Sequence, residues 1–259
     1  MKRGLIAESI LVFFTIVAVF SGFILYTGYM SDAWNLVYSD IIYVVFAALA
    51  AVFGIIAVRV YSLGTPEGKL LLLLTLVPIF DALAGTIWAY NEIYLSIIAP
   101  FPSISDGIWF LFYVAGISAF IYALNKVRKF ITAKNALIAT IAFGALFALI
   151  YSFSLKFIFL DLESTLLIKF LSAMYPVGDI ILGSLALLLF LSLKGSKLGD
   201  SWRTFTIAYW VYAIADLVYT YQLYAGTFKS GNATDIFWFL GQVIMAYGFY
   251  QQIRLLKPR

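Results

Sequence analysis

Apolar residues along this chain do not alternate with polar ones. They run in long continuous blocks separated by short polar breaks. Eight blocks fall near residues 5–28, 37–60, 70–90, 104–125, 135–157, 165–192, 203–225 and 234–255. Each is long enough, at about 1.5 Å per residue, for the ~30 Å hydrocarbon core of a bilayer. Unbroken apolar character predicts helices rather than barrel strands. The expected fold is an all-α integral membrane protein with eight transmembrane helices, multi-pass in the cell membrane. The first block starts like a signal peptide. Its apolar part exceeds the usual h-region of about 7–15 residues and no A-x-A-like site follows, so it reads as a retained first span.

Charge sets the expected orientation. Lys2, Arg3, Arg59, Lys69, Lys126, Arg128, Lys129, Lys134, Lys194, Lys197, Arg203, Arg254, Lys257 and Arg259 fall on one side of the eight spans. Only Lys156, Lys169 and Lys229 fall on the other. The positive-inside rule then puts both termini in the cytoplasm, which also requires an even number of spans. All loops are short, so the chemistry lies in the helices. An Asn-x-Thr sequon at Asn232 falls on the expected outer side.

Hydrophobic residues make up 64% of the 259 and charged residues 12%, about half the charged share of a soluble domain. The net charge of +4 is spread over loops and ends, so it does not indicate nucleic acid. The chain has no cysteine and no histidine, which excludes thiolate chemistry and removes the commonest general base. The sequence identifies neither a cofactor nor a metal.

A repeat emerges from the acidic positions. Asp40 and Asp179 are 139 residues apart, Asp81 and Asp216 are 135, and Asp106 and Asp235 are 129. The last pair opens matching runs, "SDGIWFL" and "TDIFWFL". Three acids recurring in order predict a duplication of four helices, residues 1–134 and 135–259, within one membrane domain. Four is even, so the copies would be parallel repeats, with sites expected at their interface.

Asp40, Asp106 and Asp235 are expected near the outer starts of their helices. Ser103-x-x-Asp106 and Asn232-x-x-Asp235 look like capping boxes, so these acids have a structural reading beside a functional one. Asp81 and Asp216 are expected about nine residues, roughly 13 Å, below the outer ends of their spans. Capping does not explain Asp81, Asp179 and Asp216. A central Asp costs about 2.5–3.5 kcal/mol on insertion scales, and no cation is near in sequence. Interhelical hydrogen bonds, a proton or a bound ion would each compensate. Aromatic residues recur at helical spacing around these acids: Trp88 after Asp81, Tyr175 before Asp179, Tyr212 and Tyr219 around Asp216. Trp109 and Tyr113 follow Asp106, and Trp238 and Gln242 follow Asp235. Carboxylates among rings suit an organic cation, although Trp and Tyr also gather at membrane interfaces. The candidate binding set is Asp81, Asp179, Asp216, Asp106, Asp235, Asp40, Trp88, Tyr175, Tyr219, Trp109 and Trp238.

The segments "PSISDGIWFLFYVAGI", "YPVGDIILGSLALLLFL" and "IADLVYTYQLYAGTFKSGNATDIFWFLGQ" resemble the multi-helix membrane sensor region at the N-terminus of some GGDEF/EAL proteins and some histidine kinases. The resemblance rests on Pro102 to Asp106, Tyr175 to Asp179, and Ala215 to Tyr219 followed by Gly226-Thr227-Phe228. It implies ligand sensing. That family carries a cytoplasmic output domain, which this chain lacks, so the expected signalling partner is a separate protein.

Three functions fit the sequence. The leading one is a sensor or receptor-like module binding a small or cationic ligand in an acidic, aromatic outer-half cavity between the two repeats, which all six carboxylates are expected to face. The second is a proton- or cation-coupled transporter using the deep Asp residues, with Pro78 and Pro176 as helix breaks. The third is an intramembrane hydrolase, which lacks the usual His or Cys. The expected partners are the lipid bilayer, a small-molecule or cation ligand and a signalling protein.

Overall fold

The computed structural model describes residues 2–256, and every regular element among them is helical. Lys257 and Arg259, two of the basic residues that set the expected orientation, lie outside the described residues. The long helices are α1 (Lys2–Thr27), α2 (Asp32–Tyr61), α3 (Pro66–Ala89), α4 (Ile104–Val127), α5 (Ala133–Ile150), α7 (Leu166–Leu193), α8 (Lys197–Tyr224) and α9 (Ile236–Leu256). A π-helical turn, Tyr90–Tyr94, prolongs α3. A second, Tyr151–Leu155, joins α5 to the short α6 (Lys156–Leu160).

Hydroxyl caps start most of these helices. Ser31, Thr65, Ser103, Thr132, Thr165 and Ser196 each accept a backbone N–H of the first turn, satisfying a donor that has no partner within the helix. Ser31 starts α2 well before the apolar block begins. Asp40 therefore lies two turns inside α2 rather than at its start, a correction to the expected position. The π-turn similarly places Asp81 13 residues before Tyr94, so it is deeper in its helical stretch than expected.

Among the described residues, six stretches are long and apolar enough to cross a membrane: Ile6–Thr27, Asp32–Tyr61, Pro66–Tyr94, Ile104–Phe130, Ala133–Leu160 and Leu166–Leu193. The chain is thus a helical protein with multi-pass membrane character. α8 and α9 fall short because they carry more polar residues, several of which turn inward. Ser201, Thr204, Thr206, Asp216 and Thr220 on α8 are buried, as are Gln242 and Gln252 on α9. Several are satisfied between the two helices: Gln252 Nε2 donates to Ser201 Oγ at 2.7 Å and Thr204 Oγ1 to Gln251 Oε1 at 2.8 Å.

Six helices close into a ring in the order α2, α3, α4, α7, α8, α9, with α9 returning to α2. Outside it, α1 lies on α9 and α5 on α7. Part of the ring's interior is filled by packed aromatic side chains. Phe120 stands 5.3 Å from Tyr209 and 6.0 Å from Trp202, and Phe205 stands 5.1 Å from Phe249. The core draws on both sequence halves.

Two connections are built alike. In Gly64-Thr65-x-x-Gly68, Thr65 Oγ1 donates to Ser62 O at 2.9 Å and accepts Gly68 N–H at 3.0 Å. In Gly195-Ser196-x-x-Gly199, Ser196 Oγ donates to Leu193 O at 2.7 Å and accepts Gly199 N–H at 3.1 Å. A Cβ on Gly68 would lie 1.8 Å from Ser62 O, and one on Gly199 2.4 Å from Leu193 O. Only glycine allows this approach at both turns.

Candidate functional site

The ring also encloses a cavity of about 100 Å³. Four carboxylates line it: Asp40 from α2, Asp81 from α3, Asp216 from α8 and Asp235 from the turn before α9. The remaining wall is largely aromatic.

Asp81 is only 1% exposed and is surrounded by donors. Oδ1 accepts Tyr43 OH at 2.5 Å and Trp109 Nε1 at 3.1 Å. Oδ2 accepts Tyr212 OH at 2.6 Å and Gln242 Nε2 at 3.0 Å. An ionised carboxylate has about four acceptor sites and no donor. Here all four are matched by neutral donors from four different helices, surroundings complementary to the carboxylate form. Among the described residues the ion pairs are Arg203–Asp200, Lys229–Asp32 and Arg254–Glu8. None of them brings a cation to the cavity acids.

Asp216 is less satisfied. Oδ1 accepts Trp238 Nε1 at 2.7 Å, and Oδ2 lies 3.1 Å from Tyr113 OH. Acceptor capacity is therefore left on a carboxylate that faces the cavity. The same phenol lies 3.0 Å from Asp179 Oδ1. Asp179 is 2% exposed, and its Oδ2 is buried with no hydrogen-bond partner.

The last helix of each sequence half follows one scheme. Trp109 on α4 bonds to Asp81, and Trp238 on α9 bonds to Asp216, each within its own half. Four residues later, Tyr113 and Gln242 reach the Asp of the opposite half. The acids that open these helices are also bonded across halves. Asp106 Oδ1 accepts Tyr175 OH from α7, and Asp235 Oδ2 accepts Ser39 Oγ from α2, both at 2.5 Å. Asp106 Oδ2 also accepts Ser103 N–H at 2.6 Å, completing the expected capping box. Structural and interhelical roles thus coexist on one side chain.

Glycines let the tyrosines approach. A Cβ on Gly85 would lie 2.7 Å from the Tyr43 ring, one on Gly178 2.4 Å from Tyr113, and one on Gly241 2.7 Å from Tyr212. Each of these tyrosines directs its hydroxyl at a buried acid. Two aromatic chains complete the walls. Trp88 meets Trp109 at 5.6 Å, which meets Tyr175 at 6.2 Å. Opposite, Phe228 meets Tyr219 at 4.8 Å, which meets Trp238 at 6.0 Å.

Of the candidate residues drawn from the sequence, Asp40, Asp81, Asp216, Asp235, Trp88, Trp109, Tyr175, Tyr219 and Trp238 line the cavity. Asp106 and Asp179 do not. They stand behind Tyr175 and Tyr113, to which they are bonded. The sequence reading passed over Tyr43 and Glu92. Glu92 is 4% exposed in the π-turn after α3, where Oε1 accepts Ala99 N–H at 2.7 Å and Oε2 accepts Ser230 Oγ at 2.7 Å. It ties the loops after α3 and α8 over the cavity mouth, and Asp40 faces it. Its signal was a lone acid in "WAYNEIYL". Among the described residues, no three acidic side chains converge closely enough to hold a metal ion. Comparison with known proteins gives no matching family model, no matching curated protein and no matching solved structure.

Proposed function

We propose that this protein is a receptor-like membrane module that binds a small organic ammonium ion in the acidic, aromatic cavity and passes the change in helix packing to a separate signalling protein. One observation carries the reading. Four acids, Asp40, Asp81, Asp216 and Asp235, line one cavity inside an apolar helix ring, and among the described residues no ion pair brings a cation to any of them. A buried acidic cluster of this kind favours a ligand of opposite sign. The walls select which kind. Hard metal cations need about six oxygen ligands, whereas the under-coordinated carboxylates of this cavity, Asp216 and Asp40, stand among ring faces that attract a weakly hydrated cation. α3 and α7 run unbroken through Pro78 and Pro176, which favours a receptor over a transporter built on discontinuous helices.

In this proposal the chain crosses the membrane eight times with both termini in the cytoplasm. The polar faces of α8 and α9 are shielded by the ring. The two quartets arose by duplication. The twin Gly-Ser/Thr-x-x-Gly turns and the crossed bonding of Trp109/Tyr113 and Trp238/Gln242 support this.

Trp88, Trp109 and Trp238 provide the assay. Titrating tetramethylammonium chloride into the protein in nanodiscs should give a saturable change in tryptophan fluorescence that equimolar sodium chloride does not reproduce. Asp216→Asn should weaken it at least about tenfold, equivalent to about 1.4 kcal/mol. No saturable response, or an equal response to sodium, defeats the proposal. Saturable binding together with ammonium flux across reconstituted vesicles would favour the transporter.

A further inference from the structure

We infer that Asp179, Tyr113 and Asp216 hold one exchangeable proton, and that an ammonium ion entering the cavity beside Asp216 expels it. The inference rests on the ammonium-binding reading above and adds an exchange to it.

Tyr113 OH lies within hydrogen-bond distance of both Asp179 Oδ1 and Asp216 Oδ2, at 3.0 and 3.1 Å. A phenol carries one proton and fully serves one acceptor. Toward the second carboxyl it presents only its oxygen, which repels an anion and accepts a bond from an acid. The arrangement is satisfied when the second carboxyl carries a proton. Two carboxyls this close in a water-poor site share one proton in preference to ionising together. Asp81 is different, because four donors already satisfy its charge.

The position of the proton follows from the surroundings. Asp216 lines the cavity and takes a second donor, Trp238. Asp179 is off the cavity, with Oδ2 buried and unpartnered, so the proton resides on Asp179. The titratable groups facing it are Tyr113 from α4 and Asp216 from α8. Asp81 of α3 acts on Asp216 from across the ring. On the α5–α6 side Ile150, Leu155 and Ile158 pack on Ile180, and Ser154, in the same turn as Leu155, is a buried neutral hydroxyl. Among the described residues no ion pair brings a cation to the trio. An ammonium ion at Asp216 supplies that charge from the cavity side. The proton on Asp179 then leaves through the hydroxyl of Tyr113 and the cavity to water, and net charge is conserved.

The consequence is a sign. Protons compete with the ligand, so the apparent affinity for tetramethylammonium rises with pH, by about tenfold per unit for one-for-one exchange. The deciding experiment is calorimetry of the full chain in nanodiscs, titrated with tetramethylammonium chloride in two buffers of different ionisation enthalpy at one pH. Heats that differ by the equivalent of about one proton per bound cation support the exchange. Saturable binding with equal heats overturns the exchange and leaves ammonium binding standing. No saturable binding overturns both. Infrared difference spectra of the unmodified protein should show a carboxylic-acid carbonyl band lost on adding the cation, and Asp179→Asn should lack that band before addition. Persistence of the band in the variant assigns the proton elsewhere and overturns the proposal. If the variant fails to fold, the buffer comparison is repeated on Asp40→Asn, because Asp40 at the cavity also faces Glu92. Release of the proton from both proteins supports the trio as its source, and loss of the release in Asp40→Asn overturns the proposal.

Discussion

Asp81 illustrates how an acid is accommodated inside an apolar fold. Each hydrogen bond to a charged group is worth about 1.5–3 kcal/mol, and a buried acceptor left open costs about 1–3 kcal/mol. Tyr212→Phe removes one donor from Oδ2 and should destabilise by about that amount. Asp81→Asn should cost more, about 3 kcal/mol, because an amide N–H₂ would face two groups that already donate. Thermal unfolding in one detergent compares the two. An Asp81→Asn variant as stable as the unmodified protein would mean that Asp81 carries a proton. Asp81 and its recurrence at Asp216 were legible from residue type and spacing. Its cage was not. The four donors lie between 28 and 161 residues away in sequence, and no periodicity relates positions on separate helices. Glu92 was overlooked because a lone acid near a helix end reads as interfacial until its loop partners are seen.

At the level of elements, hydropathy located the helices and capping residues moved their ends. Ser31 and the π-turn after α3 shifted the depths of Asp40 and Asp81 by whole turns, which a window average cannot resolve. α8 and α9 show a further limit, since inward-facing Gln, Ser and Thr lower the hydropathy of a helix whose polar groups are bonded internally. The paired Gly-Ser/Thr-x-x-Gly turns were present in the sequence, but their meaning depends on a backbone approach. Gly68→Ala and Gly199→Ala both drive a Cβ into a backbone carbonyl that cannot rotate away. Each should lose about 1–3 kcal/mol, read by unfolding. Gly107→Ala, where a Cβ meets nothing within 4 Å, is the control. Equal stability of all three would remove the argument that these turns require glycine.

The whole molecule is a ring closed by contacts between the halves, α4 on α7 and α9 on α2. Ring closure creates the cavity, because each half alone supplies only part of its wall. Orientation belongs to this scale too. The absence of native cysteine makes single-cysteine labelling direct. Leu162→Cys, at a position 92% exposed between α6 and α7, should react with an impermeant maleimide on intact cells. Lys129→Cys, exposed after α4, should react only after permeabilisation. The reverse pattern would invert the proposed topology.

By itself the sequence determined helical, membrane-like character and the order of the acids and tryptophans, because apolar run length and residue spacing are local properties. Tertiary structure decided which acids meet one cavity, which stand behind it, and which tyrosine two carboxylates share. Those outcomes depend on how six helices rotate and approach around a common axis. Glycine-sized gaps and hydrogen bonds between distant positions set that packing.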